Sequence, residues 1–237
     1  FYKNKDGSFN FDSASVKNLL TNEEITTWYE EGETWNGKFG DISASIEECR
    51  ADICGFWLMD FKEVYETFGF TDADRVTNFW VSVMAQLRKG ILGLPLFSPE
   101  SNKWGQAHTQ GAFVYAMYLY KNQKTGFLRF DLNEDNTNFT IHLDRDLLYT
   151  EGRELTKSIL QMIQTYKSVA DVEGARHFYS QYSAVDEEFI TLRNIVLAKR
   201  QPRRIVGSHN LFLGDETVVF KTYETNHIGV IRSFQAR

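Results

Sequence analysis

After Pro202 the texture of the sequence changes. Up to about residue 200 apolar residues recur at helical intervals; beyond it the short runs "RRIV", "NLFL", "TVVFKTY" and "GVIRSF" read as strands. One late switch of period excludes both an all-helical bundle and a regular alternation of strand and helix. It predicts an α+β fold, with a mainly helical lobe over residues 1–200 and strands over 201–237. Four strands with unpaired edges are marginal alone. Either they pack on the helices as one α+β domain, or the rest of their sheet lies upstream of Phe1 and the chain is a fragment. The opening "FYKNKDGSFNF", strand-like around a Lys-Asp-Gly-Ser turn and without an initiator methionine, favours the second.

The helical part has its own punctuation. Thr21 and Glu24 form a capping-box pair for a helix through "NEEITTWYEEG" that stops at Gly32, and Ser45 with Glu48 repeats the device. Thr71 and Asp74 open "ADRVTNFWVSVMAQLRKG", in which Val76, Phe79, Trp80, Val83 and Leu87 follow a helical period and Lys89-Gly90 is the stop signal. Ser98-Pro99 opens a long helix through "WGQAHTQGAFVYAMYLY". "FLRFDL" and "FTIHL" predict a hairpin around "NEDNTN", and three further helical patterns fill roughly 151–200.

Composition narrows the function. With 42% hydrophobic and 15% aromatic residues the chain can bury a substantial core, which excludes disorder as its main state. A net charge of -6, with "KRQPRR" at 199–204 as the basic knot, argues against nucleic acid and anionic membranes as partners. No apolar run reaches membrane-spanning length. Cys49 and Cys54, five apart on a predicted helix, point about 140° away from each other, so neither a disulfide nor a shared zinc is expected. The chain reads as a reduced, cytoplasmic-type protein.

The stretch "IEECRADICGFWLMDF", residues 46–61, sets three carboxylates among large apolar side chains. On a helix Glu48 and Asp52 share a face, and Glu47 meets Arg50 one turn on. Two readings stay open. One is an intrahelical ion-pair cluster at a half-buried edge. The other is a zinc site in which one carboxylate binds the metal and its neighbours orient imidazole ligands. The second needs histidines, yet those at 108, 142, 177, 209 and 227 include no pair at helical ligand spacing, and there is no HExxH-type motif.

"EECRAD", preceded by "WYEEGETWNGKF" and followed by "WGQAHTQGAFV", "LRNIVLAKRQPRRIV" and "GVIRSF", resembles the dipeptidyl peptidase III family. These are zinc exopeptidases with an EECRA[ED] signature, whose zinc histidines come from an upstream HExxGH helix. The resemblance covers essentially the whole chain. It implies the C-terminal third or so of such an enzyme, beginning just after HExxGH, with residues 201–237 returning to a β-barrel in a second lobe. It also implies a substrate class, oligopeptides that lose dipeptides from their N-terminus, and one zinc ion whose two histidine ligands come from the upstream remainder of the protein. By the same resemblance Glu48 is the third protein ligand of the zinc. Glu47 and Asp52 hold the two histidines, Asp52 being one methylene shorter than the commoner glutamate. His108 stabilises the tetrahedral intermediate, and Arg203 and Arg204 clamp the carboxylate end of the peptide. Ala112 replaces a residue that is often basic in the family. Without the resemblance, His108 reads as a core histidine on an amphipathic helix, and Arg203-Arg204 as a solvated basic turn or a nuclear-targeting knot. The competing function class is a non-catalytic peptide-binding or regulatory module on the same fold, which the upstream sequence discriminates.

Overall fold

The computed structural model describes residues 1–59, 61–201, 209–214 and 217–237. They fall into two compact units, Phe1–Ala198 and Lys199–Arg237. In the first, strand β1 (Tyr2–Lys3) pairs in parallel with β2 (Tyr29–Glu30). Helices α1 (Trp35–Phe39), α2 (Ser43–Leu58), α3 (Lys62–Thr67) and α4 (Asp72–Leu92) follow. A small hairpin, β3 (Phe97–Ser98) with β4 (Lys103–Trp104), leads into α5 (Ala107–Asn122). Next come the hairpin of β5 (Leu128–Leu132) and β6 (Phe139–Leu143), the single turn α6 (Arg145–Leu147), and α7 (Arg153–Ser168), α8 (Val172–Ser183) and α9 (Glu187–Ala198).

The core is built around α5. Residues 111–119 are buried without a break, the mark of a helix covered on all sides. Cys49 and Ile53 of α2, Val83, Leu87 and Ile91 of α4, Ile159 of α7, Tyr179 of α8 and Phe189 of α9 close around it. Two glycines let the backbones meet. A Cβ at Gly90 would stand 2.8 Å from the Phe113 nitrogen, and one at Gly111 would stand 3.1 Å from the Cys49 Cβ and nitrogen. Both cysteines are free thiols.

Several expected elements take another form. Residues 21–32 are not helical: Thr21 Oγ1 accepts from the Glu23 N–H at 3.2 Å, and Asn22 sits at φ 59°. Short polar side chains that bond their own backbone compete with a helix, and "ITT" lacks helix propensity. Tyr29 is instead buried, its hydroxyl donating to the Lys167 carbonyl at 2.9 Å. Ser45 is no cap, since α2 starts at Ser43 and the Ser45 hydroxyl turns inward. α4 opens as expected, with the Thr71 N–H donating to Asp74 Oδ2 at 3.1 Å, but it runs through Gly90 to Leu92, because Gly90 serves the crossing with α5. The long helix starts at Ala107, where Gln106 Oε1 accepts from the Thr109 N–H at 2.5 Å; Ser98-Pro99 lies in the β3–β4 hairpin.

In the second unit β7 (His209–Leu213) and β8 (Val218–Thr222) pair antiparallel, Leu211 facing Phe220. "GVIRSF" is not a strand. It belongs to α10 (His227–Gln235), capped by Asn226 accepting from the Gly229 N–H, with Ile228, Ile231 and Phe234 at a spacing of three that defines a helical stripe. Asn210 ties hairpin to helix by donating to the Ser233 carbonyl at 2.7 Å. Each sheet among the described residues is two-stranded and none closes into a barrel. "RRIV" lies outside the described residues.

Candidate functional site

Half-buried positions of α2 carry all three carboxylates, and each finds a different partner. Glu47 is held as a double salt bridge. Arg50, three residues on, donates from Nη2 to Oε1 at 2.6 Å and from Nε to Oε2 at 3.0 Å, and Lys167 of α7 adds Nζ to Oε2 at 2.6 Å. The Arg50 hydrogen bonds, helped by Lys167 and opposed by partial burial, hold the Glu47 carboxyl down at about 2. Lys167 also lies over the Trp35 ring, 5.0 Å from its centroid.

Asp52 looks toward α4. Gln86 Nε2 at 2.7 Å and Lys89 Nζ at 3.2 Å both reach Oδ2, and Gln86 is itself buried. Oδ1 has no hydrogen-bond partner among the described residues.

Between them stands Glu48, whose Oε2 lies 3.1 Å from His108 Nδ1 on the first turn of α5. Both side chains are close to half exposed, at 40% and 49%, so both present atoms to solvent. Glu48 Oε1 and His108 Nε2 are unengaged among the described residues. His108 is therefore not a core histidine. The α2–α5 contact that allows the pairing is the backbone approach at Gly111 against Cys49.

The donor set fits zinc as a contribution and not as a whole. Glu48 offers a solvent-facing carboxylate on a rigid helix, flanked by two acids, which is carboxylate chemistry that zinc accepts. Among the described residues no three His, Cys, Asp or Glu side chains converge to hold a metal.

A model of peptidase family M49 matches residues 1–237. The chain belongs to peptidase family M49. Its M49 relatives include "Dipeptidyl peptidase 3" of Nematostella vectensis, 38% identical over 239 residues, and of Homo sapiens, 34% identical over 249; each alignment covers 100% of this chain and 33% of the relative. The same-named protein of Dictyostelium discoideum is 30% identical over 247 residues, 35% of its length. The chain thus spans about a third of the length of these curated relatives. A solved structure titled "Structure of DPP III from Caldithrix abyssi" aligns with 68% of this chain and 26% of its own, at 16% identity and a TM-score of 0.47.

Within this M49 chain the structure brings Glu47, Glu48, Asp52 and His108 to one region, while Arg203 and Arg204 lie outside the described residues. Three partners escaped the reading of the sequence. The spacing that announces Arg50 beside Glu47 has no counterpart for Lys167, Gln86 or Lys89, which arrive from other helices. Gln86 alone left a trace, a polar residue between Val83 and Leu87 on the apolar face of α4.

Proposed function

We propose that this chain forms one wall of the catalytic centre of a zinc-dependent dipeptidyl peptidase. The two histidines that complete the metal site are assigned to a preceding HExxGH segment of the same polypeptide. One observation in an M49 chain supports the reading above others: Glu48 and His108 stand 3.1 Å apart with an unengaged carboxylate oxygen and an unengaged imidazole nitrogen.

Zinc, when held, supplies Lewis acidity toward a peptide carbonyl. Glu48 gives it one oxygen ligand from the middle of α2. Asp52, pinned through Oδ2 by Gln86 and Lys89, keeps Oδ1 for the ring N–H of one ligating histidine. Glu47 keeps a lone pair on Oε1 for the other, its Oε2 being taken by both Arg50 and Lys167. His108, when both ring nitrogens carry protons, aims its Nε2–H at the oxygen on which negative charge grows as the carbonyl carbon becomes tetrahedral. Arg203 and Arg204 are assigned the peptide's carboxylate end, where a guanidinium fork matches the geometry. The substrates are then oligopeptides that release dipeptides from their N-terminus, in the cytoplasm. Strands β7 and β8, whose Leu211, Leu213, Val219 and Phe220 are exposed, are assigned to a β-barrel of a second lobe.

A direct test compares the 237-residue chain with the longest native form of the protein. The chain alone is expected to lose zinc on dialysis against a mild chelator and to release no dipeptide from a chromogenic substrate, because one ligand stands where a catalytic site needs about three. The longer form is expected to keep one equivalent and to turn over. Stoichiometric zinc with activity in the chain alone would contradict the assignment of the missing ligands.

A further inference from the structure

Behind the Glu48–His108 pair lies a buried chain of hydroxyls. Ser45 Oγ is 3.1 Å from the Ala107 carbonyl oxygen and 2.5 Å from Tyr179 Oη. Ser45 and Tyr179 are 3% and 1% exposed, and the bond between them is buried. Chemistry fixes their direction. A carbonyl only accepts, so the single Ser45 hydroxyl proton goes to Ala107; Ser45 Oγ then takes its own bond from the Tyr179 O–H. Burial pushes the Tyr179 phenol well above its ordinary value, which keeps it protonated and donating.

The two ends of this relay are significant. Ser45 lies three residues before Glu48 on α2, one turn along the same face. Ala107 is the residue immediately before His108 at the head of α5. α8 supplies the third anchor through Tyr179. Apolar packing leaves helices some freedom to slide, whereas a directed hydrogen bond across the α2–α5 seam fixes their register at this level. We propose that Ser45 and Tyr179 are positioning residues that hold His108 against Glu48. The consequence for catalysis rests on the function proposed above; the geometry itself does not.

The test uses this chain without metal. Imidazole ¹H–¹⁵N spectra read how the His108 ring responds to Glu48→Gln, in the unaltered chain, in Ser45→Ala, and in the double variant Ser45→Ala/Tyr179→Phe. The single variant strands a buried phenol and is expected to lower the Tm, while the double variant removes both partners and is expected to recover most of that loss. The His108 response to Glu48→Gln is expected to fall about two-fold or more in both variants, because neither restores the bond to Ala107. A full response in the double variant, returning together with its Tm, overturns the relay and leaves Ser45 a packing residue. No response in the unaltered chain overturns the Glu48–His108 contact itself, and with it the support for the proposed function.

Discussion

Glu47 takes Arg50 on one oxygen and both Arg50 and Lys167 on the other, and its carboxyl is held at about 2, against 4.5 for a free glutamate. A carboxyl depressed in the folded state contributes stability fully above its unfolded value, and that contribution is lost as pH falls from about 4.5 to about 2. Lys167→Met removes one of the two cations, so its destabilisation in urea unfolding is expected to be larger at about pH 6 than at about pH 3. The contact of Lys167 with the Trp35 ring involves no carboxylate, so an equal loss at both pH values would mean that the ring contact, not Glu47, is what Lys167 contributes. Asp52 is oriented by a neutral amide and one ammonium on a single oxygen. Neighbouring acids on one helix thus differ because α7 faces one and α4 the other. At this scale the sequence was legible where both partners share a helix, as with Glu47 and Arg50. It was silent on Lys167 and Lys89, and marked Gln86 only as a polar break in the apolar face of α4, because no local spacing encodes a contact between helices.

Among the elements, the α4–α5 crossing depends on a missing side chain. Gly90→Ala gains helix propensity, yet its Cβ would meet the Phe113 nitrogen and the Ala112 carbonyl group at 2.8–2.9 Å, and backbone atoms do not rotate away. A net loss of about 1–3 kcal/mol is expected. Gly55 in α2 has open space where a methyl group would stand, with nothing within 4 Å, so Gly55→Ala is expected to stabilise by about 0.5–1 kcal/mol. Chemical unfolding of the pair decides the point: both stabilising, or both neutral, would show that close approach does not set the crossing. Gly90 also shows why element ends were harder to read than elements. Lys89-Gly90 carries the signature of a helix stop, but a glycine chosen for interhelical clearance has the same letter. Likewise "GVIRSF" has both strand-like and helical spacing, and the Asn226 cap decides for α10. The β5–β6 hairpin and helices α7, α8 and α9 followed their patterns, since their periods were long and their turns polar.

The molecule as a whole joins a helical unit, Phe1–Ala198, to a smaller unit, Lys199–Arg237, that presents an apolar hairpin and the exposed stripe of α10. The chain aligns along its full length with about a third of the length of its M49 relatives. The proposed function gives Glu48 and His108, side by side, different tasks: one holds metal, the other meets charge that exists only in the transition state. Glu48→Ala and His108→Ala in the longest native form separate the two, read by metal analysis, a melting curve and steady-state kinetics. Glu48→Ala is expected to lose zinc and turnover together. His108→Ala is expected to keep its zinc and its Tm while turnover falls by on the order of 10²–10³ with KM little changed. A His108 variant that turns over normally, or that has lost its zinc, would contradict the account.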